Sequence, residues 1–250
     1  MSIPYGRQTI EDDDIQAVVD VLKSDYLTTG PKIAEYEGQR IGGLSDMTTF
    51  SFHPVKPITT GEGGMIMTNN EEYYKRLMLF RSHGITRDEQ LMTRNDGPWF
   101  YQQLDLGYNY RITDIQCALG ANQMKKLDRY LKRRREIATR YDEAFADVDN
   151  IITPYQSLDG VSGWHLYIIQ VKGENRKEVF EFLREKGIGV NVHYIPVYYH
   201  PYYREHGYED IKCPVAEDVY EHIISLPIFP GLTEENQDYV IEQVKRAVSM

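Results

Sequence analysis

"SFHPVKPITTGEGG", residues 51–64, sets one lysine, Lys56, between Pro54 and Pro57 and ahead of glycines at 61, 63 and 64. The preceding run "DMTTFSF" (46–52) is rich in β-branched and aromatic residues and predicts a strand. Such a strand delivers Lys56 at its end, where ligands gather in α/β folds. The two prolines fix the backbone on both sides, and the glycines let main chain approach something bulky. A solvated lysine with no chemical part stays open on these residues alone. The other reading is an amine in a partly dry pocket. Burial disfavours a lysine's charged form, and the neutral amine attacks carbonyls. That is what a Schiff base with pyridoxal phosphate (PLP) requires, with the lysine holding the cofactor and later moving a proton. Ser51, five residues earlier, could offer its hydroxyl to the phosphate.

Outward from this loop, "GGMIMTNN" predicts a short buried strand, and "NEEYYKRLMLFRSHG" a helix closed by Gly84. Upstream, "TIEDDDIQAVVDVLKSDYLTTGP" predicts a helix from Thr9, as N-cap, to Asp25. Its apolar face is Ile15, Val18, Val19 and Leu22, and "TTGP" turns the chain. Residues 113–145 predict one long helix with an apolar stripe through Ile115, Leu119, Leu127, Leu131 and Ile137, its Lys/Arg run forming a solvated face. Beyond it, "WHLYIIQV" and "GVNVHYIPV" predict strands and "NRKEVFEFLREKGIG" a helix. Helices near 214–223 and 232–248 follow. This alternation in the last 100 or so residues predicts a small α/β domain.

The 250 residues are 41% hydrophobic and 26% charged, enough for a core without a disulfide or metal staple. Net charge is −10, which argues against non-specific nucleic-acid binding and against an anionic membrane surface. Cys117 and Cys213 lack metal-type spacing and fit a reduced, cytoplasmic protein; no metal is expected. The opening "MSIPYGRQTIEDDD" has no signal-peptide pattern, and no apolar run matches a membrane span. The 20 tyrosines suit domain or subunit contacts.

The stretches "IPYGRQTIEDDDIQAVVDVLKSDYLTTGPKI", "IGGLSDMTTFSFHPVKPITTGEGGMIMTNN", "LFRSHGIT", "LGYNYRITDIQCALGANQMKKLD", "HYIPVYYHPYY" and "CPVAEDVYEHIISLPIFPGLTEE" together resemble the DegT/StrS-type sugar-nucleotide aminotransferases. The resemblance runs through nearly the whole chain in family order. It implies an α/β protein: the remnant of an aspartate-aminotransferase-type large domain, residues 1–150, binding PLP, and a small C-terminal domain, residues 151–250. It implies amination at C4 of a UDP-linked 4-keto-6-deoxy-N-acetyl hexose, as in pseudaminic acid synthesis, with glutamate as donor and a homodimer as the assembly. Lys56 matches the family's Schiff-base lysine and Ser51 its phosphate-binding serine. Asn109, in "GYNYR", matches the asparagine that reaches a neighbouring subunit's cofactor phosphate. His193 and Tyr194, in "VHYIP", match a region beside the substrate pocket. Taken by themselves, Asn109 reads as a turn residue and Tyr194 as a core tyrosine.

The chain also departs from the family. A segment of roughly 140 residues, about four βα units of ~30 residues or more, is missing between "LTTGPKI" and "GQRIGG". That segment carries the family's glycine-threonine phosphate turn, the aromatic that stacks on the pyridine ring and the aspartate that pairs with the ring nitrogen. The nearest acidic residues, Glu35 and Glu37 in "AEYEGQR", do not match that aspartate's motif. "AEYE" (34–37) fits both edges of the gap, so an in-frame loss between two similar stretches is the expected origin. Long-read sequencing of the source locus checks this. Two functions therefore stand, an impaired sugar aminotransferase and a non-enzymatic truncated relic.

Overall fold

The structure is a computed structural model describing residues 2–21, 33–36, 39–173 and 175–250. It divides into two units, one of Glu11–Pro54 and Ile58–Lys125, the other of Met1–Ile10, Val55–Pro57 and Lys126–Met250.

The first unit opens with α1 (Asp12–Val21), whose first turn carries Asp12, Asp13 and Asp14, charges that suit a helix N-terminus. The helix begins three residues after the expected Thr9 cap. Asp14 Oδ2 accepts the Glu11 N–H at 2.9 Å across that entrance. The expected apolar face is also corrected. Asp14 is buried and Ile15 is 56% exposed, while Val18 and Val19 are half-buried. The cause is polar: the Asp14 carboxylate accepts from Asn122 Nδ2 at 3.0 Å and Gln123 Nε2 at 2.8 Å. A carboxylate so partnered can be buried, and its network decides which side faces inward. Leu22 and "TTGP" lie outside the described residues.

Strands β1 (Ile33–Tyr36) and β2 (Gln39–Ile41) pair antiparallel, with Ile33 opposite Ile41. β3 (Thr48–Ser51) and β4 (Gly64–Met67) pair antiparallel from Thr48–Met67 to Ser51–Gly64. β3 falls within the expected strand. β4 is not the buried strand expected, since Ile66 is 46% exposed. Among the described residues its sheet has two strands, too few to cover both faces.

α2 (Glu71–Phe80) starts at Asn70, whose Oδ1 accepts the N–H groups of Glu72 and Tyr73 at 2.9 and 3.1 Å. Gly84, at φ +69°, closes it by donating to the Leu79 carbonyl at 2.8 Å. A Cβ at Gly84 would collide with the Asp105 carbonyl, and one at Gly107 with the backbone of His83 and Gly84. The two glycines thus let the segment through β5 (Ile85–Thr86) and β6 (Gln102–Gln103) fold back against the end of α2. α3 (Asp114–Phe145) begins with reciprocal Thr113–Gln116 bonds of 3.1 and 3.3 Å. Its start is one residue from the expected one. Ile115 is exposed, unlike the rest of its expected stripe, and Arg134 is buried, unlike the solvated face expected of its charge run.

The second unit contains the rest of α3, β7 (Ile151–Ile152), β8 (Gly160–Val161), β9 (Tyr167–Val171), α4 (Arg176–Glu185), α5 (Pro201–Tyr203), α6 (Pro214–His222), β10 (Ile223–Leu226) and α7 (Glu234–Ala247). β9 lies between β10 and β7, antiparallel to both. Tyr167, Ile169 and Val171 point to one core. Val179 and Leu183 of α4 and Val240 and Val244 of α7 cover it. Ile137, Tyr141 and Phe145 of α3 and Ile3 complete it from outside residues 151–250. Ile3 bridges parallel to Ile188. The strand expected from "WHLYIIQV" starts three residues late, at Tyr167. "GVNVHYIPV" (189–197) forms only a single bridge, Asn191 to Ser225, with Ile188 just before it bridging Ile3. Beyond Asn191 it is the His193 side chain, not its backbone, that meets Ser225, and Pro196 has no N–H for a ladder. No helix among the described residues is long and apolar enough to cross a membrane.

Two buried phenols give this unit a pH signature. The Tyr141 hydroxyl donates to the Pro227 carbonyl at 2.9 Å and the Tyr167 hydroxyl to Asp142 at 2.5 Å. Burial pushes both phenols well above their ordinary range. Above pH 10 they ionise only in the unfolded chain, which then binds fewer protons than the folded one, so stability falls as pH rises. Burial of Arg134 lowers its pKa to about 10 and acts oppositely, because the folded state releases that proton first. Two protons against one leave stability falling as pH rises above pH 10. Urea midpoints at pH 9, 10 and 11 check this; a midpoint that does not fall between pH 10 and 11 contradicts it.

Candidate functional site

The proline-flanked loop has a closed base. Phe52 donates to the Gly63 carbonyl at 2.9 Å, and its own carbonyl accepts from Thr60 N–H at 3.1 Å and Thr59 Oγ1 at 2.9 Å. Phe52, Ile58, Thr59 and Thr60 are buried. Residues 53–57 lie between these ties, more open than their flanks, and Lys56 among them is half-buried. With the base tied and two prolines among these residues, little backbone freedom remains.

Val55–Pro57 belong to the second unit, where Lys56 Nζ lies 3.1 Å from His165 Nε2. His165 is delivered by a constrained backbone. Trp164, just before it, sits at φ +44°, a region that non-glycine residues seldom occupy. The Trp164 N–H donates to Ser162 Oγ at 3.0 Å. The buried Arg134 holds this segment, donating through Nη1 to the carbonyls of Trp164, His165 and Ile228 at 3.0, 3.3 and 3.0 Å.

His193 lies in the same unit. Asn191 Nδ2, which can only donate, is 3.2 Å from His193 Nε2, so that nitrogen accepts. The ring proton then sits on Nδ1 and is donated to Ser225 Oγ at 2.7 Å. Burial, followed by the positive charge of Lys56, lowers the His193 pKa and keeps the ring neutral near pH 7. The Tyr5 ring lies 5.2 Å from it. Tyr194 stands edge-on to His193 at 4.7 Å and is 72% exposed, so it is not a core tyrosine. Of the expected site residues, the structure thus brings Lys56, His193 and Tyr194 into one unit.

Ser51 and Asn109 belong to the other unit. Ser51 ends β3, exposed, with Oγ accepting the His53 N–H at 3.4 Å. Asn109 is exposed and bridges antiparallel to Ser82, which makes it an extended residue and not a turn. The rings of Tyr108 and Tyr110 on either side stack at 4.8 Å. Sequence reasoning missed His165. Its place before a strand, after the "SG" of "SGWHLY", does not by itself mark it as a partner of Lys56. Chemically, Lys56, His165 and His193 give the second unit an amine and two imidazoles, groups that can hold a carbonyl compound and move protons.

A sequence model described as the DegT/DnrJ/EryC1/StrS aminotransferase family matches residues 33–245. The chain is 36% identical over 261 residues to the spore coat polysaccharide biosynthesis protein SpsC of Bacillus subtilis, covering 98% of this chain and 65% of that protein. It is 34% identical over 256 residues to a Campylobacter jejuni UDP-4-amino-4,6-dideoxy-N-acetyl-beta-L-altrosamine transaminase, covering 98% and 66%. Among solved structures it is similar to Helicobacter pylori PseC, an aminotransferase involved in the biosynthesis of pseudoaminic acid. The TM-score there is 0.80 at 30% identity, over 96% of this chain and 64% of that one. Spr1654 of Streptococcus pneumoniae, named as a sugar aminotransferase and solved in PLP and PMP forms, gives a TM-score of 0.79 at 34% identity, over 86% of this chain and 54–55% of that one. The chain spans 57–66% of the length of these curated relatives and of three similar ones.

Proposed function

The chain belongs to the DegT/DnrJ/EryC1/StrS aminotransferase family, and from that premise we propose that it represents a PLP-dependent sugar aminotransferase that exchanges a 4-keto group for an amine. The observation that carries this reading is the half-buried Lys56 amine, held near the middle of a closed loop 3.1 Å from His165 Nε2. An amine so placed fits the aldehyde end of PLP. Lys56 would hold the cofactor covalently, with the Ser51 hydroxyl and the Asn109 amide of a second copy meeting its phosphate. When bound, PLP supplies an electron sink for the carbanion formed at the substrate carbon. His193, neutral with its proton on Nδ1, would help line the sugar pocket together with Tyr194. The proposed substrates are a UDP-linked 4-keto-6-deoxy-N-acetyl hexose and glutamate. The named transaminase and PseC relatives support the first of these. A cytoplasmic homodimer is the proposed setting, with residues 1–150 as the shortened cofactor domain and 151–250 as the small domain.

The 250 residues contain no match to the family's phosphate turn, stacking ring or ring-nitrogen aspartate. Three anchors at ~1 to 3 kcal/mol each amount to about two to six orders of magnitude in affinity. We therefore expect weak PLP binding and negligible amine transfer from glutamate to the UDP-4-keto sugar. Titration with PLP, followed at visible wavelengths, and a coupled assay of glutamate consumption test both expectations. Robust turnover would overturn the impairment. Failure of PLP to attach at any concentration would favour a non-enzymatic relic, a second reading that the 57–66% coverage of the relatives supports.

A further inference from the structure

We infer that His165 is the positioning residue for Lys56, an assignment that rests on the reading of Lys56 as the cofactor lysine. A lysine side chain has four rotatable bonds, and the tied loop base fixes only its Cα. Something must still choose where the amine points. Among the described contacts of the Lys56 amine, the hydrogen bond to His165 Nε2 at 3.1 Å does so. That imidazole is itself held. The left-handed Trp164 turns the chain just before it, and Arg134 Nη1 grips the carbonyls of Trp164 and His165, which flank the His165 Cα, at 3.0 and 3.3 Å. A buried cation spent on backbone carbonyls, beside a strained residue, is a costly way to present an ordinary surface histidine. As a holder for the reactive amine it has a purpose: orientation is worth much in rate only when the orienting group is rigid. His193 is held separately by Ser225 and Asn191 and reaches Lys56 through its electrostatic field.

The experiment uses the full 250-residue chain with three substitutions, His165→Gln, His165→Asn and His165→Phe. A glutamine amide reaches the place of Nε2, an asparagine amide stops near Nδ1, and phenylalanine keeps ring volume alone. Two readouts are taken by peptide mapping: PLP fixed on Lys56 by borohydride, and trace acetylation of Lys56 by acetic anhydride without PLP. Losing one hydrogen bond to a charged amine predicts that PLP fixation at Lys56 falls about tenfold in His165→Phe and His165→Asn. Acetylation of Lys56 rises in the same two variants, because the amine is released to the diffusible reagent. His165→Gln restores both, and the other lysines acetylate at the native rate throughout. A general loss of structure would expose all lysines together, and the Gln–Asn contrast then decides on its own. If acetylation follows this pattern while PLP attaches to no lysine in particular, the positioning role stands and the cofactor reading falls. Lys56 acetylating equally in the native chain and all three variants, or Gln behaving as Asn does, overturns the inference.

Discussion

Lys56→Ala loses all PLP fixed by borohydride on the peptide that contains residue 51–64, while the native chain carries label there and on no other peptide in comparable yield. The reason is chemical. Covalent attachment needs a nucleophilic amine and an aldehyde, and the loop presents one amine at a fixed place. Lys75, by contrast, pairs with Glu71 at 2.7 Å on the surface of α2. Lys56→Arg is the sharper variant. It keeps the positive charge but cannot form the imine linkage, so it too should show no label, with thermal stability close to native. Equal labelling in Lys56→Ala and the native chain would place the cofactor chemistry elsewhere.

Arg134→Met should destabilise the second unit by about 3 to 5 kcal/mol. Methionine fills similar volume but donates nothing, so the carbonyls of Trp164, His165 and Ile228 lose a charged donor in a buried place. Each such loss costs about 1 to 3 kcal/mol, less where the groups can turn towards water. Arg133→Met, one residue away, is the control. Arg133 meets Glu136 at 3.3 Å and the Leu232 carbonyl at 2.9 Å from a partly exposed position, and its loss should cost about 1 kcal/mol. Urea unfolding measures both. Equal effects would show that Arg134 does not brace the Trp164–His165 segment.

The sequence was legible where a local signal met no tertiary rival. α2, α3, α4, α6 and α7 lie within a few residues of their expected spans, because caps such as Asn70 and stops such as Gly84 act on their immediate neighbours. Reading failed where the deciding partner lay far along the chain. Asp14 is buried because of Asn122 and Gln123, more than one hundred residues away, and apolar periodicity cannot register a paired carboxylate. Arg134 reads as one more charge in a basic run, and only carbonyls from residues 164, 165 and 228 make its burial possible. Residues 189–197 have the composition of a strand but meet a ladder partner only at Asn191, through Ser225. At the site, the lysine loop was legible from Pro54, Pro57 and the glycines. His165 was not, because a histidine before a strand carries no local mark of what it will face.

The parallel bridge of Ile3 to Ile188 has a consequence for biosynthesis. A ribosome makes the N-terminal end first, yet Ile3 N–H finds the Gly187 carbonyl at 2.7 Å, and the Tyr5 carbonyl finds Ile228 N–H at 3.1 Å. Those partners emerge only after roughly 180 to 220 further residues have been made. Contacts so distant in sequence close late, so the nascent chain carries Ile3 and Tyr5 without these backbone partners until then. Any chaperone or bulky N-terminal fusion that detains residues 2–10 competes directly with closure of the second unit.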